Sequence, residues 1–153
     1  MRLSERAGGE LRLILDGRLA AIEDGRLAIL SYLEPLALDP LVINRLEVVF
    51  EEIVSNIVRH GFTPGSGQSI AVRLAVRPNA VVLTVEDDGI AFNPLDAPEP
   101  APLTSLETAP LGGLGIALMR KLAADVRYET PSWAPDAAFK PTNRLTVAIA
   151  TAA

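Results

Sequence analysis

Residues 40–60, "PLVINRLEVVFEEIVSNIVRH", constrain the fold more than any other stretch of the chain. Asp39 fits an N-cap, Pro40 the first helical position and Gly61 the residue just past the end. At about 100° per residue, Ile43, Leu46, Phe50, Ile53, Val54 and Ile57 share one apolar face. A helix of this kind is suited to burial against another apolar surface. Asn44, Glu47, Glu51 and Ser55 fall on a wet face. Glu52, Asn56 and His60, spaced i, i+4, i+8, form a third stripe along the margin of the apolar one. Two readings suit that stripe. It is either a set of surface groups ending in an imidazole favoured by the helix dipole, or the wall of a cleft.

The rest of the chain supplies the surface on which such a helix can lie. "LRLIL" (Leu11 to Leu15) reads as a short strand. From about Arg18 to Leu33, Leu19, Ile22, Ile29, Leu30 and Leu33 recur at helical spacing until Pro35, with Gly25 weakening the pattern. "FTPGSGQ" is a turn cluster. The runs "SIAVRLAVR" and "AVVLTVEDD" are β-rich, and Pro78-Asn79 between them predicts an antiparallel hairpin. Residues 89–110 carry five prolines (94, 98, 100, 102 and 110) and cannot build a regular element. With strong elements on both sides, that segment reads as a lid. "LGGLGIALMRKLAADV" begins with glycines and turns helical, and "RYET" and "NRLTVAIA" read as strands around an irregular "PSWAPDAAFKPT". The order β-α-α-β-β-lid-α-β-β predicts an α/β two-layer sandwich. Its sheet is expected to be mixed and mostly antiparallel, with helices on one face. One domain is expected over 1–153, with the lid at about 89–111.

Composition removes several chemistries. Hydrophobic content of 49% and charged content of 22% are those of a folded globular chain. A net charge of −5 argues against binding driven by nucleic-acid phosphates. Without cysteine and with one histidine, neither disulfides nor a structural zinc site is expected. The only lysines, Lys121 and Lys140, end no Walker-type loop, and the eukaryotic-type kinase motifs are absent. The first residues lack a signal-peptide pattern, and no run approaches the ~20 apolar residues of a membrane span. A soluble, cytoplasmic protein is expected.

Two further motifs follow the helix. "VEDDGIAFNP" (Val85 to Pro94) places acids at a strand end that empties into the lid, a turn signal on its own. A carboxylate there can also accept a hydrogen bond from a buried amino group such as that of adenine. "GGLGI" (Gly112 to Ile116) opens a helix, where backbone N–H groups favour anions and glycines allow close approach.

Taken in order, E-x-x-x-N on a helix, D-x-G after a strand, and a lid closing on G-x-G resemble the N, G1 and G2 boxes of GHKL (Bergerat-fold) ATPases. More narrowly, "EEIVSNIVRHGF", "DDGIAFNPLDAPEP", "GGLGIALMRKLAADVRYE" and "NRLTV" are similar to the bacterial anti-sigma regulatory serine kinases, over about Leu11 to Ile149. The resemblance implies that ATP and Mg²⁺ are bound, with Glu52 the catalytic base and Asn56 the metal ligand in the nucleotide site. It implies that Asp87 receives the adenine amino group beside Gly89, that Gly113 and Gly115 face the phosphates, and that Thr146 sits near adenine. It also implies a sigma factor or equivalent output protein as partner, and a STAS-domain antagonist phosphorylated on serine. A homodimer is implied, with no direct nucleic-acid or membrane contact. Two departures bear on activity. Ala91 stands where a D-x-G-x-G version has its second glycine, and no Lys, Arg or His occurs from Asp88 to Met119. The cation-free lid keeps open a nucleotide-binding module that sequesters a partner without transfer. A histidine-kinase ATP-binding domain is the third reading.

Overall fold

The computed structural model describes residues 1, 3–61, 68–96 and 113–151. Its strands are β1 (Leu3–Ala7), β2 (Glu10–Asp16), β3 (Ser69–Val76), β4 (Ala80–Asp87), β5 (Asp125–Glu129) and β6 (Asn143–Ala150). Its α-helices are α1 (Ala20–Leu33), α2 (Pro40–Asn56) and α3 (Gly113–Leu122). All six strands join one sheet in the order β1-β2-β3-β4-β6-β5. Every pairing is antiparallel, so the expected mixed sheet is corrected. The reason is topological. β4 and β5 run in the same direction, but β6 lies between them and no parallel pair forms.

Alternation along the strands builds one covered face. Leu11, Leu13 and Leu15 of β2, Ile70, Val72 and Leu74 of β3, Val81, Leu83 and Val85 of β4, and Leu145, Val147 and Ile149 of β6 are all buried. The helices supply Ile29 and Leu33 from α1, Leu46, Val49, Phe50, Ile53 and Val54 from α2, and Met119 from α3 to the same core. The apolar face of α2 is therefore turned slightly from the expected one. Val42 and Val49 are buried, while Ile43 and Ile57 are only half-buried at its margin. On the wet face, Glu47 meets Arg26 of α1 at 3.0 Å.

β1 has no counterpart in the sequence reading. Its residues, "LSERA", are all exposed and lack the alternation that marks a half-buried strand. The overlooked signal is Gly8-Gly9, a two-residue hairpin turn with φ of +60° and +77° at its two positions. At the other rim β5 begins at Asp125, because α3 stops at Leu122, earlier than expected.

Gly25 does not break α1 but lets it approach the core. A Cβ there would lie 2.8 Å from Phe50 Cζ and 3.3 Å from Leu15 Cδ1. Alanine gains about 1 kcal/mol of helix propensity, whereas forcing a methyl into a packed core typically costs about 1–3 kcal/mol. Gly25→Ala is expected to lower the thermal unfolding midpoint, and to lower it less in a Phe50→Leu background, where the ring that meets the added methyl is gone. A midpoint at or above wild type would show that α1 shifts aside without cost.

Candidate functional site

The site grows from two element ends that meet, with a third element tied to them through the loop after β4. The first is the C-terminal end of α2. At its start Asp39 accepts a hydrogen bond from the Leu41 N–H at 2.9 Å, with Pro40 in the first turn, as the sequence predicts. The helix stays regular through Asn56, and Ile57–Gly61 then form a π turn. This corrects the expected α-helix to residue 60. Glu52 and Asn56 share one stripe and are half-buried, but the wider turn takes His60 out of line and leaves it exposed. Single π turns within helices frequently accompany functional sites.

The second end is that of β4, where three consecutive acids go three ways. Glu86 points to the open face and pairs with Arg144 at 3.2 Å. Asp88 Oδ1 accepts from the Ser69 N–H at 3.0 Å. Asp87, in step with Val81, Leu83 and Val85, points into the core side and is only 4% exposed. Its Oδ1 accepts two hydrogen bonds, from the Gly89 N–H at 2.9 Å and from Asn143 Nδ2 at 3.1 Å. Among the described residues nothing donates to Oδ2.

The turn after Asp87 is wedged against both neighbours. A Cβ on Gly89 would overlap the Gly61 carbonyl oxygen, so only glycine fits. The Ile90 N–H donates to that same oxygen at 2.5 Å, fixing the strand end to the π turn of α2. On the other side, the Thr142 N–H donates to the Asp87 carbonyl at 2.8 Å and its Oγ1 to the Gly89 carbonyl at 2.5 Å. Glu52 and Asn56 lie on the turns of α2 that precede this junction.

The third element is α3, opened by Gly113 with Gly115 in its first turn. The loop from β4 reaches the last turn of this helix, not its glycine start, through Leu95, whose carbonyl accepts from Arg120 Nη2. Residues 97–112, which include Gly112 and most of the expected lid, lie outside the described residues. Thr146 is not brought to the site. It lies on the open face of the sheet, opposite Thr84 and Arg127, three positions from Asn143 and hence on the other side. Asn143 and Thr142, which the sequence reading did not select, meet Asp87 instead. Asn143 shares its parity with Leu145, Val147 and Ile149, so an amide on the buried side of a strand was the available signal. Another hollow, lined by Leu30, Glu34, Leu38 and Ile43, lies at the start of α2 and contains none of the expected site residues.

Electrostatics follow from this enclosure. Burial pushes the Asp87 carboxyl above its ordinary value, the Asn143 amide and Gly89 N–H pull it back, and Asp88 adds a smaller upward push. No group of three or more acidic or histidine side chains suited to a metal occurs among the described residues.

A raised native value means that the folded chain holds this proton more tightly than the unfolded one. Asp87 imposes no penalty below the ordinary carboxylate range, and its penalty accrues as pH rises through the raised value. Asp87→Asn keeps an oxygen for Gly89 and Asn143 but does not titrate. The unfolding midpoint of the ligand-free variant, relative to wild type, is expected to increase from about pH 4 to about pH 7. A difference constant across that range would contradict the buried, upward-shifted carboxyl.

A family model described as a histidine kinase-like ATPase domain matches residues 15–134, from the end of β2 to just beyond β5. The serine/threonine-protein kinase BtrW of Bordetella bronchiseptica is 36% identical over 84 residues, 55% of this chain and 59% of that kinase. The chain thus spans about three fifths of that relative's length. An anti-sigma F factor of Bacillus velezensis is 22% identical over 107 residues, 69% of this chain and 72% of that protein. The matched segment contains Glu52, Asn56, Asp87, Gly89, Gly113 and Gly115. By that match, which covers most of its length, the chain belongs to the histidine kinase-like ATPase family.

Proposed function

We propose that this protein is an ATP- and Mg²⁺-dependent serine kinase of the partner-switching type. In this reading it holds a sigma factor or an equivalent output protein and phosphorylates a STAS-domain antagonist on serine. One observation carries the reading: a carboxylate almost fully buried at a strand end, with Oδ1 saturated and Oδ2 without a donor among the described residues. An acceptor left uncommitted among the described residues at such a junction suits a ligand bearing N–H groups, and the exocyclic amine of adenine has them. Support for transfer and for partner control comes from the relatives, one named a serine/threonine-protein kinase and the other an anti-sigma factor.

Each expected residue has chemistry suited to its place. ATP, when bound, supplies the phosphoryl group, and the protein's task is positioning and charge neutralisation. Asn56 would hold Mg²⁺ through its amide oxygen, and the ion would supply neutralisation of phosphate charge. Glu52, one helical turn earlier, orients the attacking serine hydroxyl and takes its proton. The N–H groups at the Gly113–Gly115 start of α3 are unpaired within the helix and suit phosphate oxygens. Thr146 has no part in this site.

A second reading, nucleotide-dependent sequestration without transfer, is favoured by one specific contact. Arg120, a cation at the far end of α3, is engaged with the Leu95 carbonyl. The segment from Asp88 to Met119 contributes no cation of its own.

Calorimetry with ATP, with and without Mg²⁺, together with radiolabel transfer to a STAS-domain protein of the same host, separates these readings. ATP is expected to bind with Mg²⁺-enhanced affinity and to label serine on the partner. Glu52→Gln should retain nucleotide binding while lowering transfer by about 10²–10⁴-fold, and Asn56→Ala should abolish the Mg²⁺ enhancement. Binding without transfer to any such partner would favour sequestration. Absence of nucleotide binding would overturn both.

A further inference from the structure

We propose that Asn143 and Tyr128 are positioning residues that make Asp87 selective for a purine bearing an amine, rather than a carbonyl, at its six position. The inference rests on the reading that Asp87 meets the base of the nucleotide. It adds the part of the chain that determines what Asp87 can recognise.

The Asn143 side chain is 7% exposed as a residue and uses its full hydrogen-bonding capacity. Nδ2 donates to Asp87 Oδ1 at 3.1 Å and to the Ile90 carbonyl at 2.9 Å. Its Oδ1 accepts from the Phe92 N–H at 3.0 Å and from the Tyr128 hydroxyl at 2.5 Å. Flipping the amide would set oxygen against two acceptors and NH₂ against the Phe92 N–H. The orientation is therefore locked by four partners drawn from three segments. Tyr128, on the rim strand β5, is half-buried against the core, and its hydroxyl is committed as the donor that completes the lock.

This lock has two effects on Asp87. It occupies Oδ1 together with Gly89, so that Oδ2 is the oxygen left for a ligand. It also donates to the carboxylate and so favours the ionised, acceptor-only form against the opposing effect of burial. An acceptor-only carboxylate pairs with an exocyclic amine and repels a carbonyl placed at the same point. Loss of the Asn143 amide leaves Oδ1 with the Gly89 N–H alone and favours a protonated acid, which can donate to a carbonyl. The base preference is thus set by residues that need not touch the base.

The experiment compares binding of ATP and inosine triphosphate, which carries a carbonyl in place of the amine, by calorimetry. Wild type is expected to prefer ATP by about tenfold or more. Asn143→Leu should bring that ratio close to one. Tyr128→Phe, which keeps the ring and removes the hydroxyl, should lower it by about two- to fivefold. In the ligand-free protein, carboxyl chemical shifts should show Asp87 titrating at higher pH in Asn143→Leu than in wild type. A merely structural role would weaken both nucleotides alike and leave the ratio unchanged in both variants, and that result overturns the proposal. Should Asn143→Leu fail to fold, Tyr128→Phe decides alone: an unchanged ratio there overturns it. A wild type that binds the two nucleotides equally would instead overturn the reading of Asp87 as the base-recognising group.

Discussion

The organising constraint is the burial of one carboxylate at the end of a strand. Asp87 can occupy a nearly dry position only because backbone and amide donors converge on it. Those donors come from different places: Gly89 from its own turn and Asn143 from β6. The turn that presents Gly89 is in turn held by the last carbonyl of the π turn after α2. Satisfying this single group therefore requires β4, β6 and α2 to be in register at one point. The bulk hydrophobic core stabilises the sandwich, but it tolerates small shifts. The polar junction does not, and it defines where the helix ends relative to the sheet.

Glycine has a different duty at each place where the structure depends on it. At Gly8 and Gly9 it supplies positive φ for the first hairpin. At Gly25 it gives Phe50 room beneath α1, and at Gly89 it admits the Gly61 carbonyl. The last two are matters of space, and they occur where a helix presses on another element. Helical propensity alone misjudges Gly25, since what matters there is the aromatic ring on the neighbouring helix.

Much of this architecture was legible in the chain. α2 announced itself by Asp39, Pro40 and its apolar face, and β3 and β4 by their β-rich runs around Pro78-Asn79. Asp87 and Gly89 were legible as a motif. What could not be read was anything set by contacts between distant segments. The π turn after Asn56 is such a case, since nothing local in "IVRHG" distinguishes it from an α-helical end. Strand β1 was missed because an edge strand need not alternate. Asn143 and Thr146 were exchanged in importance because the side each faces follows from the register of β6 against β4. A shift of one residue there would exchange the two faces.

The rims of the sheet have a consequence for how partners can attach. Both outermost strands, β1 and β5, are only five residues long. They are charged as well, with Glu5 and Arg6 on one and Asp125, Arg127 and Glu129 on the other. Short, charged rims discourage a foreign strand from extending the ladder, because added backbone bonds would be few and side-chain charges would have to be desolvated. Recruitment by donated β-structure is thereby disfavoured at both ends. On the proposed reading, a partner protein would be steered toward the helical layer, the open sheet face or the loops of this domain.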